Sequence, residues 1–335
     1  MLKNTHATKT KICLVTPALA DANNGNWQTA QRWARMLSAS FQTRISTVWP
    51  DSKPADITAD VLVALHARRS AASVVAWAHA HPSRPLVLAL TGTDLYQDIQ
   101  HDADAQRSLH LATHLVVLQE QGLQALPEAL RHKARVIYQS STPMPPANKT
   151  PAHLRAVMVG HLRDEKSPQV LWQTAQALQA DDAIFIDHIG RALDPALAKQ
   201  AQQITSQFPH YRWLNELPYV PTRRSIQRAH VLVHTSRIEG GAHVIMEAVM
   251  SGTPVLASRV SGNVGMLGAD YPGYFEPGNA QQLSALLREC RHTQTQEDGL
   301  LAKLTQACQT RAALFQPERE QADLCALITS TLTPA

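Results

Sequence analysis

Short apolar runs alternate with helical patterns along most of this chain. Runs such as 60–65 and 231–234 contain at most one polar residue and end in polar or glycine-containing loops. Continuous apolar runs of this length are typical of parallel strands that are buried on both faces. We therefore predict an α/β fold in which the two halves repeat one strand–helix plan. The predicted strands are 11–16, 43–48, 60–65, 85–91, 114–118 and 134–138, followed by 154–160, 183–188, 211–214, 231–234 and 254–258.

A proline-rich stretch separates the two halves. Residues 139–153 are poor in apolar side chains, which is typical of a linker. A chain of 335 residues is also long for one hydrophobic core and comfortable for two. We predict one domain over 1–145, a second over 153–316 and a final helix over 317–335.

Composition and charge narrow the class of protein. The net charge is +4 and is spread along the chain, which gives little support to nucleic-acid or membrane-surface binding. The chain contains no run of ~20 apolar residues, so we predict a cytoplasmic protein without a signal peptide or a membrane span. Four cysteines show neither close pairing nor metal-ligand spacing and are interpreted as reduced thiols: Cys13, Cys290, Cys308 and Cys325.

The stretch after the run 231–234 has the composition of a ligand-binding turn. It begins a helix, whose first N–H groups and dipole suit a phosphate. Glu239 precedes that helix and can reach a ligand, whereas Glu247 lies two turns inside an apolar stretch, where a carboxylate needs a polar partner. The alternative is that Glu239 only caps the helix and Glu247 faces solvent. The turn comprises Glu239, Gly240, Gly241, Ala242 and His243.

Ligands of parallel α/β sheets bind beyond the carboxyl ends of the strands, and that rule selects two loops in the first half. One contains the adjacent pair Arg68 and Arg69, whose guanidinium forks match the geometry of a compact oxyanion. The alternative is that one or both arginines face solvent or begin a helix. The candidate residues of the two loops are His66, Arg68, Arg69, Ser70, Thr91, Gly92, Thr93 and Asp94.

Each half also has a glycine-containing loop after its first strand. The loop 21–26 ends in Gly25 and Asn26 and lacks a dinucleotide-binding fingerprint, so an ordinary turn before the helix 27–38 is the alternative reading. In the second half a strand ends at a glycine and cations follow, which is a phosphate-loop arrangement. A solvated lysine at a helix start is the alternative for Lys166. The residues of this loop are Gly160, His161, Arg163 and Lys166.

The two glutamates carry a resemblance to a known family. The words Glu239-Gly-Gly-Ala-His-Val-Ile-Met-Glu247-Ala and Ser251-Gly-Thr-Pro-Val-Leu-Ala-Ser258 resemble the donor-site region of family 4-type glycosyltransferases. The resemblance covers nearly the whole chain. It implies the GT-B fold, with two Rossmann-like domains that face a central cleft and a C-terminal helix that crosses back to the first domain. It also implies a reaction without a bound metal.

The same resemblance implies roles in binding a nucleotide-sugar donor. Lys166 matches the lysine that binds the diphosphate, and His161 stands where the family has an arginine, so either Arg163 supplies that charge or His161 contributes a hydrogen bond. Glu247 is implied to bind the ribose and Glu239 the sugar. Thr91 replaces a family histidine, which weakens the case for a general base there. The implied donor-binding residues are Gly25, Asn26, His161, Arg163, Lys166, Gly190, Gly240, Gly241, Ala242 and Glu247.

Three shorter words give a finer resemblance. Leu65-His-Ala-Arg-Arg-Ser70, Thr91-Gly-Thr-Asp-Leu-Tyr96 and Gly-Gly-Ala-His-Val at 240–244 together resemble the selenosugar synthases of selenoneine biosynthesis. This implies transfer of glucose or N-acetylglucosamine from a UDP-sugar to selenophosphate, which gives a 1-seleno-sugar. Such an acceptor is already anionic and needs a cationic seat instead of a strong base. The catalytic candidates are then Glu239, His243, Arg68 and Arg69.

The finer resemblance also implies a pathway link to a selenophosphate synthetase and a selenoneine synthase, and no cofactor beyond the two substrates. Alternatives are a GT-B transferase with another small thiol, alcohol or sugar acceptor, a UDP-sugar epimerase, or a binding module of the same fold. An epimerase would release no nucleotide at steady state, so nucleotide release separates it from a transferase. The anomeric outcome, the hexose and the oligomeric state stay open.

Overall fold

The computed structural model describes residues 9–17, 25–51 and 58–332. It divides into two compact units. The first runs to Gln139 and also includes the chain from Glu318 onward, and the second is Ser140–Pro317. The α/β class predicted from the sequence is confirmed, because each unit is built on one parallel six-stranded sheet.

The first unit has the strand order β2-β1-β3-β4-β5-β6. Its central strands β3 and β4 are buried at every residue, which is why they read as unbroken apolar runs. Helices cover both faces, and Trp33 and Trp77 are fully buried. The elements are β1 Lys11–Val15, α1 Gly25–Leu37, β2 Gln42–Ser46, β3 Val61–Leu65, α2 Ala71–Ala80, β4 Leu86–Leu90, a π-helix Asp94–Asp98, α3 Ile99–His101, α4 Ala103–Leu111, β5 His114–Val117, α5 Gln121–Ala125, a 3-10 helix Glu128–Lys133 and β6 Ala134–Val136.

The second unit has the strand order β12-β11-β10-β7-β8-β9. The elements that matter for the site follow the strands β7, β8, β10 and β11. The elements are β7 Leu154–Val159, α6 Pro168–Ala177, β8 Ile184–Ile189, α7 Pro195–Gln207, β9 Tyr211–Trp213, α8 Tyr219–Arg228, β10 Val231–His234, α9 His243–Val249, β11 Val255–Ser258, α10 Ser261–Leu267, β12 Tyr274–Phe275, α11 Ala280–His292 and α12 Leu300–Ala312, with short 3-10 helices at Asp164–Lys166, Ala180–Asp182 and Ala313–Phe315.

The predicted strands agree with the structure to within two residues at every end. One strand, β12, was not predicted, because two residues carry no usable apolar pattern. The bounds of the first helix differ as well, because α1 is Gly25–Leu37 instead of the predicted 27–38. Gly25 and Asn26 therefore lie in the first helical turn and not at a loop tip. The rest of that predicted loop, 21–24, lies outside the described residues.

The stretch predicted as a linker packs on the second unit from Ser140 onward. The Arg223 guanidinium donates hydrogen bonds to the Ser141 hydroxyl at 2.6 Å and the Thr142 carbonyl at 3.0 Å. The Met144 N–H donates to the Met250 carbonyl at 2.8 Å. Hydrogen bonds to Arg223 of α8 and to Met250 at the end of α9 therefore attach the predicted linker to the second unit. They do so although the linker has few apolar side chains.

The last helix, α13 Pro317–Leu332, belongs to the first unit. Leu324, Leu327 and Ile328 join the core that lies under α1. A carboxylate is buried beside them: Glu320 is 0% exposed and accepts from Arg32 Nε at 2.9 Å and Trp33 Nε1 at 2.7 Å. The positive charge of Arg32 and the indole N–H of Trp33 compensate this buried carboxylate.

We expect Glu320→Ala to lower the free energy of unfolding by about 3 kcal/mol, since it removes the carboxylate that pairs with Arg32 and accepts from Trp33 inside the core. Urea denaturation of the whole chain measures the change. Glu318→Ala is the matched control, because Glu318 is exposed in the same helical turn. The control is expected to stay within about 1 kcal/mol of the wild type. If both variants lost the same free energy of unfolding, the stabilising role of the buried Arg32–Glu320 ion pair would be contradicted.

Candidate functional site

The site is built from loops that follow neighbouring strands of the second sheet. In a parallel sheet these loops lie at one edge, beyond the carboxyl ends of the strands. The loop after β7 contributes Lys166, and the loop after β10 contributes Glu239. Two hydrogen bonds from side chains to backbone carbonyls join these loops: Thr235 Oγ1 donates to the Lys166 carbonyl at 2.6 Å, and Arg237 donates from its guanidinium to the Asp164 carbonyl at 3.0 Å.

Glu239 forms an ion pair at the centre of this arrangement. Its Oε1 accepts from Lys166 Nζ at 2.5 Å and from His234 Nε2 at 3.0 Å. The exposed fractions of the Glu239 and Lys166 side chains are only 11% and 15%. Burial by itself raises the pKa of Glu239, but the Lys166 ammonium and His234 outweigh it and hold that pKa well below its usual range. The carboxylate is therefore ionised at any working pH.

The contact between His234 and Glu239 was not predicted from the sequence. His234 ends β10, and its side chain is 1% exposed. The only sequence signal is a histidine that closes an otherwise apolar strand just before the acidic turn. Its partner lies five residues away, across a bend that the sequence does not specify.

Two glycines let backbone segments of the site approach closely. A Cβ on Gly262, in α10, would lie 2.0 Å from the carbonyl oxygen of Glu239. A Cβ on Gly190 would lie 1.9 Å from the carbonyl oxygen of Gly160, and Gly190 has a φ of +154°. Both distances are impossible for a real side chain, so glycine is required at each position. Gly262 thus fixes the place of the Glu239 backbone, while Gly190 packs the loop after β8 against the loop after β7.

The other residues of the loop after β7 are less enclosed. His161 is half-buried, and its Nδ1 accepts from the Arg191 N–H at 3.2 Å. Burial lowers the pKa of His161, and nearby Glu216 opposes that effect. A neutral His161 can therefore form a hydrogen bond to a ligand, but it does not supply a positive charge. The Arg163 side chain is 49% exposed, with Nε 3.9 Å from a Glu165 carboxylate oxygen.

The helix after Glu239 begins later than the sequence suggested. α9 starts at His243, because Gly240, Gly241 and Ala242 form a turn, and Ala242 precedes the helix without a side-chain cap. Glu247 is consequently just over one turn inside the helix and not two, which corrects the predicted depth. Its side chain is half-buried among apolar neighbours.

In the first unit, Asp94 ties two predicted loops together. Its carboxylate accepts from the backbone N–H groups of Ala67 at 2.9 Å, Thr91 at 2.9 Å and Gly92 at 2.8 Å, and the residue is 0% exposed. The Ser70 hydroxyl is also buried and donates to the Leu65 carbonyl at 2.6 Å. Both side chains therefore support the backbone of the loops, a role that differs from the acceptor binding predicted for them.

The two arginines of the loop after β3 have different surroundings. Arg68 Nε lies 3.1 Å from Asp98 Oδ2, and His66 Nε2 lies 3.9 Å from the same oxygen. His66 is buried in a left-handed conformation with φ of 74°, and its Nε2 is 3.4 Å from Thr93 Oγ1. Arg69 is exposed, and its guanidinium has no ion pair with any residue that the structure describes. The charge of Arg68 is shared with Asp98, whereas that of Arg69 is available.

The comparisons with known proteins bear on the unit that carries Glu239. Residues 146–308 match the family model of glycosyl transferases group 1. The likeness to this family therefore lies in the second half of the chain. A curated relative, "Glycosyltransferase 1 domain-containing protein 1" of Xenopus tropicalis, is 26% identical over 185 residues. That match covers 52% of this chain and 51% of the relative, so the chain matches about half the length of its relative.

Solved structures extend the likeness to nearly the whole chain. Anabaena HepE in complex with UDP has a TM-score of 0.72 at 15% identity, covering 96% of this chain and 100% of HepE. HepE in complex with UDP-glucose has a TM-score of 0.71 at 17% identity, covering 96% and 99%. Sucrose-phosphate synthase of Thermosynechococcus elongatus has a TM-score of 0.73 at 15% identity, covering 97% and 99%. These likenesses show the fold, and the predicted GT-B fold is confirmed.

Among residues 9–17, 25–51 and 58–332, no helix is long and apolar enough to cross a membrane. Within the same residues, no group of three His, Cys, Asp or Glu side chains is arranged to hold a metal ion. The cysteines Cys13, Cys290 and Cys308 are buried thiols, and Cys325 is partly buried.

Proposed function

We propose that this protein transfers a hexose from a UDP-sugar to a small anionic acceptor. The observation that carries the proposal is the Lys166–Glu239 ion pair, which lies at the strand-end loops of the unit that matches the family model of glycosyl transferases group 1. An ammonium group next to an ionised carboxylate offers one group for a diphosphate and one for sugar hydroxyls. The solved complexes of HepE with UDP and UDP-glucose support a UDP-linked donor.

The donor is proposed to bind the second unit. Lys166 and Arg163 meet the diphosphate, together with backbone N–H groups at Gly241 and His243. These cationic and dipolar groups stabilise charge as UDP leaves, and they do so without a resident metal. His161 contributes a hydrogen bond. Glu247 binds the ribose hydroxyls and Glu239 the hydroxyls of the sugar.

The acceptor is proposed to be selenophosphate, and the hexose N-acetylglucosamine or glucose. Selenium attacks C1 of the sugar, the bond from C1 to the diphosphate oxygen breaks, and UDP departs with that electron pair. Water then cleaves the Se–P bond, which releases phosphate and the 1-seleno-sugar. An anionic, polarisable nucleophile needs no proton removed before attack, which fits Thr91 in place of a family histidine. Residues of the first unit, above all Arg69, supply the cationic seat.

Arg69→Ala is expected to raise the KM for selenophosphate about tenfold, because it removes the available guanidinium of the seat. Arg68→Ala is expected to raise it less, since Arg68 is already paired with Asp98. The measurement is initial UDP release at varied selenophosphate and saturating UDP-sugar. Arg107→Ala, an exposed arginine in α4 of the same unit, is the control. If neither Arg69→Ala nor Arg68→Ala changed the KM for selenophosphate, the proposal that these arginines bind the acceptor would be wrong.

Mass spectrometry of the products tests the proposed acceptor. The protein is incubated with UDP-N-acetylglucosamine or UDP-glucose and with selenophosphate, thiophosphate, a thiol or a sugar. A hexose-selenol mass that requires selenophosphate supports the proposal. Transfer to a thiol, alcohol or sugar with none to selenophosphate would keep a glycosyltransferase and discard the selenium assignment. A UDP-sugar that changes into its epimer without nucleotide release would overturn the transferase.

A further inference from the structure

His234 is a buried histidine whose Nε2 contacts the carboxylate of Glu239, the group proposed to bind the sugar. We propose that His234 is a positioning residue, which holds Glu239 by a neutral Nε2–H hydrogen bond while Lys166 turns from Glu239 to the diphosphate of the donor. The inference rests on the proposed function for its consequence, but the hydrogen bond itself is a property of the free protein. Nothing in the motif of two glutamates assigns a role to this position.

The distribution of bonds on Glu239 gives the first argument. Lys166 Nζ and His234 Nε2 both reach the same oxygen, Oε1. Oε2 accepts no hydrogen bond from the residues that the structure describes. One carboxylate oxygen is therefore anchored to the protein, and the other is left to accept a hydrogen bond from a ligand hydroxyl. An anchored carboxylate has a fixed direction, which is what a group that orients a sugar requires.

The protonation of the imidazole gives the second argument. Only an N–H can donate to an ionised carboxylate, so the proton of a neutral His234 must be on Nε2. Nδ1 is buried and has no partner among the described residues. Burial lowers the pKa of His234, against the raising effect of Glu239, and Lys166 lowers it further. An imidazolium would bury an unpaired Nδ1–H beside the Lys166 charge, so the neutral Nε2–H form is favoured.

Binding of a donor changes the partners of Glu239. A diphosphate carries more negative charge than one carboxylate, and Lys166 is the cation placed to meet it. When Lys166 turns to the diphosphate, Glu239 loses its stronger partner in a site where burial opposes ionisation. A second donor that cannot follow the diphosphate must then keep the carboxylate charged and in place. His234 meets this requirement, because it is fixed in a strand and is 0% exposed.

Side-chain geometry supplies a matched set of variants. The amide nitrogen of glutamine superimposes approximately on Nε2 of histidine, and that of asparagine on Nδ1. His234→Gln therefore retains a donor towards Glu239, while His234→Asn moves the donor away and His234→Leu removes it. We expect His234→Leu and His234→Asn to lose about 10- to 100-fold in kcat with a UDP-sugar, because a hydrogen bond to a charged group is lost. His234→Gln is expected to stay within about threefold of the wild type.

Binding of UDP separates positioning from a merely structural role. UDP carries the diphosphate but no sugar, so all three variants are expected to bind it within about twofold of the wild type in calorimetry, with thermal unfolding little changed. Equal kcat for His234→Leu and the wild type would overturn the proposal. So would equal losses in His234→Gln and His234→Asn, or a loss of UDP affinity that parallels the loss of turnover.

Imidazole ¹⁵N NMR tests the hydrogen bond without turnover. Wild-type His234 is expected to show the neutral Nε2–H tautomer from pH 6 to 8, and Glu239→Gln is expected to shift its Nε2–H resonance. An Nδ1–H tautomer or an imidazolium at pH 7 overturns the proposal. If the wild type released no UDP with any acceptor, the proposed function would fail. The NMR result would then still decide whether His234 holds Glu239.

Discussion

Lys166→Ala is expected to lower turnover of the UDP-sugar by about 10²- to 10³-fold, the range for removal of one group that stabilises developing charge. Two physical effects add. The leaving diphosphate loses its enclosed cation, and Glu239 loses the partner that most lowers its pKa. Affinity for UDP is expected to fall as well, since UDP keeps the diphosphate. Initial-rate kinetics and calorimetry with UDP measure the two effects.

Two further variants isolate the role of Lys166. Lys199→Ala removes an exposed lysine of α7 on the same unit and is expected to behave as the wild type. Glu239→Gln is expected to reduce turnover while leaving UDP affinity nearly unchanged, because Glu239 is assigned to the sugar. A Lys166→Ala variant that binds UDP normally and retains turnover within threefold would show that Lys166 only neutralises Glu239.

Gly262→Ala is expected to cost at least about 100-fold in turnover, the effect of a misplacement of about 1 Å in a site. A Cβ at this position would lie 2.0 Å from the carbonyl oxygen and 2.5 Å from the carbonyl carbon of Glu239. Both obstacles are backbone atoms, so either α10 or the turn that carries Glu239 has to move. Overpacking of this kind also costs about 1–3 kcal/mol in the free energy of unfolding.

The neighbouring Ser261 provides the control for Gly262. It is exposed at the start of the same helix, and Ser261→Ala adds no atom that could clash. Kinetics and urea denaturation of both variants are compared with the wild type. A Gly262→Ala protein with normal turnover and normal stability would mean that the approach of α10 to Glu239 is not required for function.

The strands could be predicted because burial on both faces of the sheet makes consecutive residues apolar, and such a run is visible in the sequence. Both β3 and β4 are covered on both faces, so every residue is apolar and the run is legible in the sequence. The exception, β12, has two residues and depends on its neighbour β11 for its existence. The start of α1 at Gly25 escaped prediction because glycine and asparagine are poor helix formers, and their helical state depends on context.

The candidate site was predictable only in part, for a similar reason. Lys166 follows Gly160, and Glu239 precedes Gly240, each after the end of a strand. This spacing can be read directly from the sequence. His234 and Gly262 act through contacts across neighbouring strands and a helix, which no spacing encodes. Asp94 looked like a ligand-facing acid, but its carboxylate is occupied by three backbone N–H groups. A polar residue in a predicted loop indicates that it has a hydrogen-bond partner, but the sequence does not indicate which group that partner is.

The most direct test of the central claim is nucleotide release from UDP-N-acetylglucosamine and UDP-glucose, with and without selenophosphate, by the wild type and by Lys166→Ala. The account predicts that the wild type releases UDP in an acceptor-dependent reaction and that Lys166→Ala releases it about 10²- to 10³-fold more slowly. Failure of the wild type to release UDP with any acceptor, although it binds UDP, would contradict the assignment of this chain as a glycosyltransferase.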